Sequence, residues 1–302
     1  MSAGMLALAL LLDAATGEPR AIWDRWPHPA VLMGRAVGWA DARLNRGNMR
    51  RLKGTLAMAG LALAAGLIGA IIAWLPDYGL LEVLLAAVLI AQRSLVQHVQ
   101  AVADALRLSL GDGRRAVAQI VGRDTGAMQA SDVARAAIES AGENLSDGVV
   151  APAFWFLVAG LPGLMIYKIT NTADSMIGHR TPRHEQFGWA AARLDDGLNW
   201  IPARLTALLI ALAHGHTDPA PILRDARLHR SPNAGWPEAA LARVLNCALS
   251  GPRSYGGKWQ DFPWVWPEGR RDPGPADIDA GVRALWRTWG LMLGIVILLW
   301  LI

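Results

Sequence analysis

The sequence predicts a mainly α-helical, multi-pass integral membrane protein. It should have four to five membrane-embedded segments, at least one of them broken, and helical cytoplasmic loops. Three observations carry this. Of 302 residues, 53% are hydrophobic and 18% charged, and the mean hydropathy is +0.26, which leans towards a membrane protein. Residues 54–75 run for 22 positions without a charge, enough to cross roughly 30 Å of hydrocarbon. Fourteen Trp against four Phe suit rings placed at membrane–water interfaces. The single cysteine, Cys247, excludes a disulfide framework and a cysteine-only metal site. Net charge is +4, and the arginines alternate with acids, so no nucleic-acid partner is expected.

Residues 1–302 read as a single membrane domain. Met5–Leu12 is apolar but short, and it lacks a basic flank, so a cleaved signal peptide is not expected. The run 1–12 fits a short span, a re-entrant piece or a surface helix. Residues 13–53 form a polar loop with eight Lys/Arg and four Asp/Glu, broken by Pro19, Pro27 and Pro29. Inside it, Val31–Leu44 fits an amphipathic helix with Trp39 and Arg43 at a headgroup layer. The span 54–75 ends at Pro76 and Asp77. A second, 79–92, returns, apolar except for Glu82. No Lys or Arg lies between Gly54 and Gln92. The turn at Asp77 is therefore expected outside, and loops 13–53, 93–148 and 214–280 in the cytoplasm.

Residues 93–148 read as soluble helices, with Val96, Val99, Val102 and Leu106 at helical spacing. Gly111–Gly113 reads as a turn and Asp124–Gly126 as a break, with a helix resuming near Asp132. The run 149–167 is uncharged but interrupted by Pro152, Gly160, Pro162 and Gly163. The segment after it is as charged as the cytoplasmic loops, which favours a broken or re-entrant element over a plain span. A true crossing offset by the weak apolar run 203–214 is the alternative. Asp218–Pro219 suits a helix start, and another helix begins near Pro237. GPRSYGG is a glycine-rich loop whose Tyr255–Gly257 can approach a phosphate. Residues 261–279 read as irregular. A last segment, 284–302, enters the bilayer with Arg287 snorkelling at its edge.

Polar side chains crowd both ends of 149–167. Glu139, Glu143 and Asp147 lie four apart and share a face if the helix persists to Gly148. Like charges there repel. The functional reading sets a divalent cation or a polarised substrate group between them, with Glu143 and Asp147 as Mg²⁺ ligands; the structural one is a solvated helix face. Asn144 stands beside them. Beyond the run come Lys168, Asn171, Asp174, His179, Arg180, Asp195, Asp196, Asn199 and Arg204. Lys168 and Arg180 can hold phosphate, the arginine bidentately. His179 is a candidate base, although an isolated histidine is more often structural. Asp195 and Asp196 fit a metal–phosphate site and also ordinary capping. HRSPNAGWPEA adds a sharp turn with Arg227, His229, Arg230, Asn233 and Glu238. Candidate catalytic residues are thus Glu143, Asp147, Asp174, Asp195 and Asp196. Candidate substrate-binding residues are Asn144, Lys168, Asn171, Arg180, Asn199, Arg204, Arg230 and Asn233. Neither GxxxxGK[ST] nor a strand-borne GxGxxG occurs, and neither do HExxH or GxSxG, so no established nucleotide, zinc-protease or serine-hydrolase motif is present.

Taken together and in order, DAATGEP, HPAVLMGR, ESAGENLSDGVVAPAFW, YKITNTADSMIGHR, FGWAAARLDDGLNWIPARLTA, RDARLHRSPNAGWPEAALA and GPRSYGG resemble the CobD/CbiB family of cobalamin biosynthesis, the adenosylcobinamide-phosphate synthases. The resemblance extends over most of the chain. Where the family commonly has Tyr-Arg, this chain has His179-Arg180. The resemblance implies a multi-pass enzyme of the inner membrane with a cytoplasmic active site. It would join (R)-1-amino-2-propanol, or its O-phosphate, to the free propionate of adenosylcobyric acid, forming an amide with ATP and Mg²⁺. Other membrane enzymes of the late pathway would be its partners. A transporter or a non-catalytic accessory protein of corrinoid metabolism is the alternative.

Overall fold

The computed structural model describes residues 2–255 and 258–302, without the side chains of residues 20, 254, 255, 258 and 259. The expected Tyr255–Gly257 approach to a phosphate falls at Gly256, Gly257 and the Tyr255 side chain, outside the described residues. Among the described residues, four helical segments are long and apolar enough to cross a membrane: Arg50–Ala73, Leu80–Leu108, Ala130–Ile177 and Pro275–Leu301. Ser2–Thr16 and Trp200–Ala213 are apolar but shorter. The chain is a mainly α, multi-pass membrane protein, and it folds as two compact units. The first comprises 1–91, 147–200 and 296–302, the second 92–146 and 201–295.

In the first unit, Arg50–Ala73 packs along Ala151–Ile177. Small residues let the backbones touch, as membrane helices require where no water drives association. A Cβ on Gly69 would lie 2.8 Å from the Pro162 Cα. On the other side of the same helix Leu56, Leu63 and Ile71 are exposed, as expected of a lipid-facing surface. The expected break is present within Ala151–Ile177: Ala159 (φ −135°, ψ 19°) and Gly160 (φ 61°, ψ −157°) leave helical geometry, two residues before Pro162. The helix resumes at Leu161, whose N–H donates to the Glu82 carboxylate. The one acid in the second apolar segment thus caps a broken helix.

In the second unit, Gln92–Leu108, Leu110–Val117, Ala130–Leu145 and Gly235–Leu245 form a helical core. Apolar residues at helical spacing build it: Val96, Val99, Val102 and Leu106 are all buried. Two short antiparallel pairs complete it, Leu249–Ser250 with Trp264–Val265 and Arg253–Tyr255 with Lys258–Gln260.

Three local expectations need correction. Gly111–Gly113 is not a turn but part of the helix Leu110–Val117. The break falls one step earlier, where the Ser109 hydroxyl accepts from the Asp112 N–H at 3.0 Å and caps a new helix. Residues 261–279 are not irregular throughout: Trp264–Val265 is a strand, and the last helix starts at Pro275. Asp277 accepts the Gly274 N–H at 2.8 Å there. Finally, the α-helix carrying Glu139 and Glu143 stops at Leu145 and gives way to a π-turn, Ser146–Val150. The spacing of four that aligned Asp147 with the other two acids does not survive a turn with i→i+5 bonds.

Candidate functional site

The first unit holds a buried polar centre built on the second half of the broken helix. Tyr167, Asn171 and Asp174 occupy successive turns of that half, and Trp189–Leu198 brings Asp195 and Asp196 against it. Asp195 is only 8% exposed. Its two oxygens accept from Asn171 Nδ2 at 3.3 Å and from Asn199 Nδ2 at 3.0 Å. The Asn199 carbonyl accepts the Tyr167 hydroxyl at 3.0 Å, and that hydroxyl also lies 3.0 Å from the Asp147 backbone oxygen. With one proton, Tyr167 can satisfy only one of these acceptors at a time. Asp147, Asp195 and Asp174 are the charged groups acting on Tyr167, and Asp147 and Glu18 those acting on Lys168.

This packing has an electrostatic consequence at Asp195. Burial, then the charge of Asp174, pushes its carboxyl up to about 7, against the hydrogen bonds from Asn171 and Asn199. Asp196 is also raised, by burial, with the charges of Arg193 and Arg180 opposing. The Arg193 guanidinium is 3.7 Å from it. Arg180 is exposed. His179 Nε2 lies 3.1 Å from the Ser175 carbonyl oxygen, an ordinary contact at a helix end. Five of the sequence candidates, Asp147, Asn171, Asp174, Asp195 and Asn199, therefore share one centre. Lys168 and Asp196 flank it.

The remaining candidates belong to the second unit. Glu139 is tied down: Arg123 Nη2 donates at 2.9 Å, Arg253 Nη1 at 2.6 Å, and the Ser250 N–H at 2.8 Å. Glu143 and Asn144 are exposed, and Asn144 donates to the Ser140 carbonyl at 2.9 Å. Arg204 lies over the Trp236 ring at 4.6 Å and donates to Asn233 at 3.3 Å. Arg230 is not with them; it donates to Gln260 at 2.8 Å and lies 4.3 Å from the Phe262 ring. Glu238 is buried, with His229 Nε2 at 3.7 Å. Burial, and then the Glu139 charge, raises its carboxyl well above the ordinary range.

Among the described residues no group of three or more His, Cys, Asp and Glu side chains is placed to hold a metal. A Mg²⁺ ion that arrives on phosphate oxygens needs only one or two carboxylates. In the first unit, half-buried Asp147 is a carboxylate of that kind.

Sequence reasoning missed Tyr167, which reads as the end of an apolar run, and the pair Arg123 and Arg253. Its YKITNTAD context was a signal for the tyrosine. Nothing in local spacing announces a partner of Glu139 more than a hundred positions away.

Comparison with known proteins gives a consistent set. A family model described as CobD/Cbib protein matches residues 6–285. A protein of Brucella suis biovar 1 named cobalamin biosynthesis protein CobD is 50% identical over 313 residues, covering 97% of this chain and 95% of that one. One from Brucella anthropi with the same name is 49% identical over 311 residues, with the same coverage. One from Rhodobacter capsulatus, again so named, is 46% identical over 311 residues and covers 99% and 98%. No solved structure matches.

Proposed function

This chain belongs to the CobD/CbiB family of cobalamin biosynthesis proteins, and we propose that it is an amide-forming enzyme of the inner membrane with its active site on the cytoplasmic side. In this reading it joins (R)-1-amino-2-propanol, or its O-phosphate, to the free propionate of adenosylcobyric acid at the expense of ATP. The product is adenosylcobinamide or its phosphate.

A carboxylate is a poor electrophile. A propionate oxygen attacks the terminal phosphorus of ATP, the bond to the β-phosphate oxygen breaks, and ADP leaves, giving an acyl phosphate. The amine then attacks the acyl carbon, the C–O bond to phosphate breaks with its electron pair going to phosphate, and the nitrogen loses a proton. The observation that carries the reading is Asp195, a buried carboxyl pushed up to about 7 and held by two amides. Such a group is matched to accepting a proton near neutral pH. Asn171 and Asn199 fix its orientation, and Tyr167 fixes Asn199 in turn. Lys168 and Arg180 are proposed to neutralise phosphate oxygens. Mg²⁺, when bound with ATP, would neutralise charge on the phosphoryl oxygens. Asp147, half-buried in the first unit, is the carboxylate proposed to serve it.

The test is reconstitution of purified protein with adenosylcobyric acid, ATP, Mg²⁺ and each amine in turn, read by mass spectrometry. Amide product that depends on ATP supports the reading. Its absence with both amines, in protein that is folded and inserted, sinks it.

A further inference from the structure

Around one cleft of the second unit, among the described residues, buried guanidinium groups outnumber the buried carboxylates paired with them. Loop residues 123–128 and the Ser250–Arg253 turn wall a cleft with room for about 100 Å³. Arg123, Arg135 and Arg253 line it, and their side chains are only 8%, 8% and 16% exposed. Against these three guanidinium groups stands one comparably buried, ion-paired carboxylate, Glu139, at 13%. The acid partner of Arg135, Asp132, is 43% exposed and so is largely screened by water. Glu238, the other buried acid near Glu139, is pushed by burial towards its neutral form. Taking cations out of water without matching anions is costly.

A second observation points the same way. The Nε of Arg123 is buried and has no hydrogen-bond partner, while its Nη2 is fixed on Glu139. Arg253, in contrast, spends its Nη groups on Glu139 and Ser250 and its Nε on the Gly251 carbonyl. Arg135 stacks over Trp264 at 4.9 Å and donates to the carbonyls of Ala248 and Arg271. Glu139 therefore positions two arginines that line the cleft, and one of them, Arg123, keeps an unused buried donor. The cleft has room for a phosphoryl group, and an arginine fork suits a phosphate.

We propose that this cleft is a phosphate-binding site, in which Arg123 donates to the oxyanion and Arg135 and Arg253 supply charge. The ligand is a phosphate monoester, the terminal phosphate of a nucleotide, or free phosphate. Only the choice among these sources rests on the amide-forming reading above; the binding itself does not.

The test titrates the purified full chain in detergent with inorganic phosphate, ATP and O-phosphorylated aminopropanol, each by calorimetry. Saturable binding of at least one probe is expected, and the tightest identifies the source. Arg123→Lys keeps a cation for Glu139 but lacks Nε. It should weaken binding by about tenfold at an unchanged melting temperature. Asp124→Asn removes an exposed carboxylate that lines the cleft and should tighten binding by about twofold to threefold, a gain that damaged protein cannot mimic. No saturable binding of any probe by the wild type overturns the site, as does wild-type affinity in both variants. If Arg123→Lys melts lower, Asp124→Asn decides, and unchanged affinity there overturns it. Amide formation is assayed in parallel. Product without phosphate binding sinks the site alone; phosphate binding without product sinks the amide-forming reading alone.

Discussion

The two polar centres handle buried charge in opposite ways. In the first unit, Asp195 meets amides, and its nearest charged influence is another carboxylate. In the second, Glu139 meets two arginines and a backbone N–H. Burial raises the Asp195 carboxyl, whose oxygens accept from amides, to about 7. The Glu139 carboxylate, clamped by two guanidinium groups, organises cations around itself. One arrangement suits moving a proton, the other holding a charged ligand.

The strongest test of the contrast is Asp195→Asn. The amide keeps one acceptor oxygen for one of the two donated hydrogen bonds but cannot take a proton. Amide formation should fall about 10²-fold to 10⁴-fold, with normal accumulation in the membrane. In the wild type the rate should drop as pH falls below about 7, because protonated Asp195 cannot act as a base, and Asp195→Asn should abolish that limb of the profile. A pH profile unchanged by the substitution would remove Asp195 from proton transfer.

Glu139→Gln tests the other side. It leaves Arg123 and Arg253 buried without their carboxylate, and stability should fall by about 3 kcal/mol, read as a lower melting temperature in detergent. A melting temperature equal to the wild type would mean that the two arginines find other anions.

Asp147→Asn should have a smaller effect. If Asp147 lends charge to Mg²⁺, product formation should need about tenfold more Mg²⁺, at matched protein amount. An unchanged Mg²⁺ dependence removes it from that role.

The smallest effect is expected at the surface pair Asp41–Arg183, 2.6 Å apart. Burial pushes the Asp41 carboxyl up, but hydrogen bonds from Arg183 and Asn45 and the Arg183 charge leave it below its ordinary 3.8. Its contribution is thus present above that value and lost as pH falls through the depressed one. Arg183→Gln should cost below about 1 kcal/mol at pH 7, and the difference from wild type should vanish in acid. A difference that persists there would assign the pair a packing role.

Much of the membrane architecture was legible because the signals are local. The Lys/Arg-free stretch 54–92 marks a helical pair, and Pro152, Gly160, Pro162 and Gly163 mark a helix that cannot stay regular. Asp195, Asn199, Asn171 and Asp174 stand out in the sequence as polar groups beside an apolar run, where such groups need a reason. Their grouping with Tyr167 was not legible, because it depends on which face of Trp189–Leu198 meets the broken helix. The Glu139 clamp was hidden for a related cause: Arg123 comes from a loop before it and Arg253 from a short strand far after it, and only the fold joins them. The misplaced turn at Gly111–Gly113 shows the limit of composition, since one capping serine outweighed two glycines.

Gly160 carries one more consequence, a matter of handedness. At φ 61° and ψ −157°, its backbone lies where essentially only glycine is found among natural residues. A mirror-image residue would fit there: D-alanine should leave the bend intact, whereas L-alanine would strain it. The bend is therefore written into the covalent chain itself rather than awaiting a ligand to induce it. Below it, Leu161–Ile177 begins as a helix in its own right, with its own positive end, and the Glu82 carboxylate answers that end.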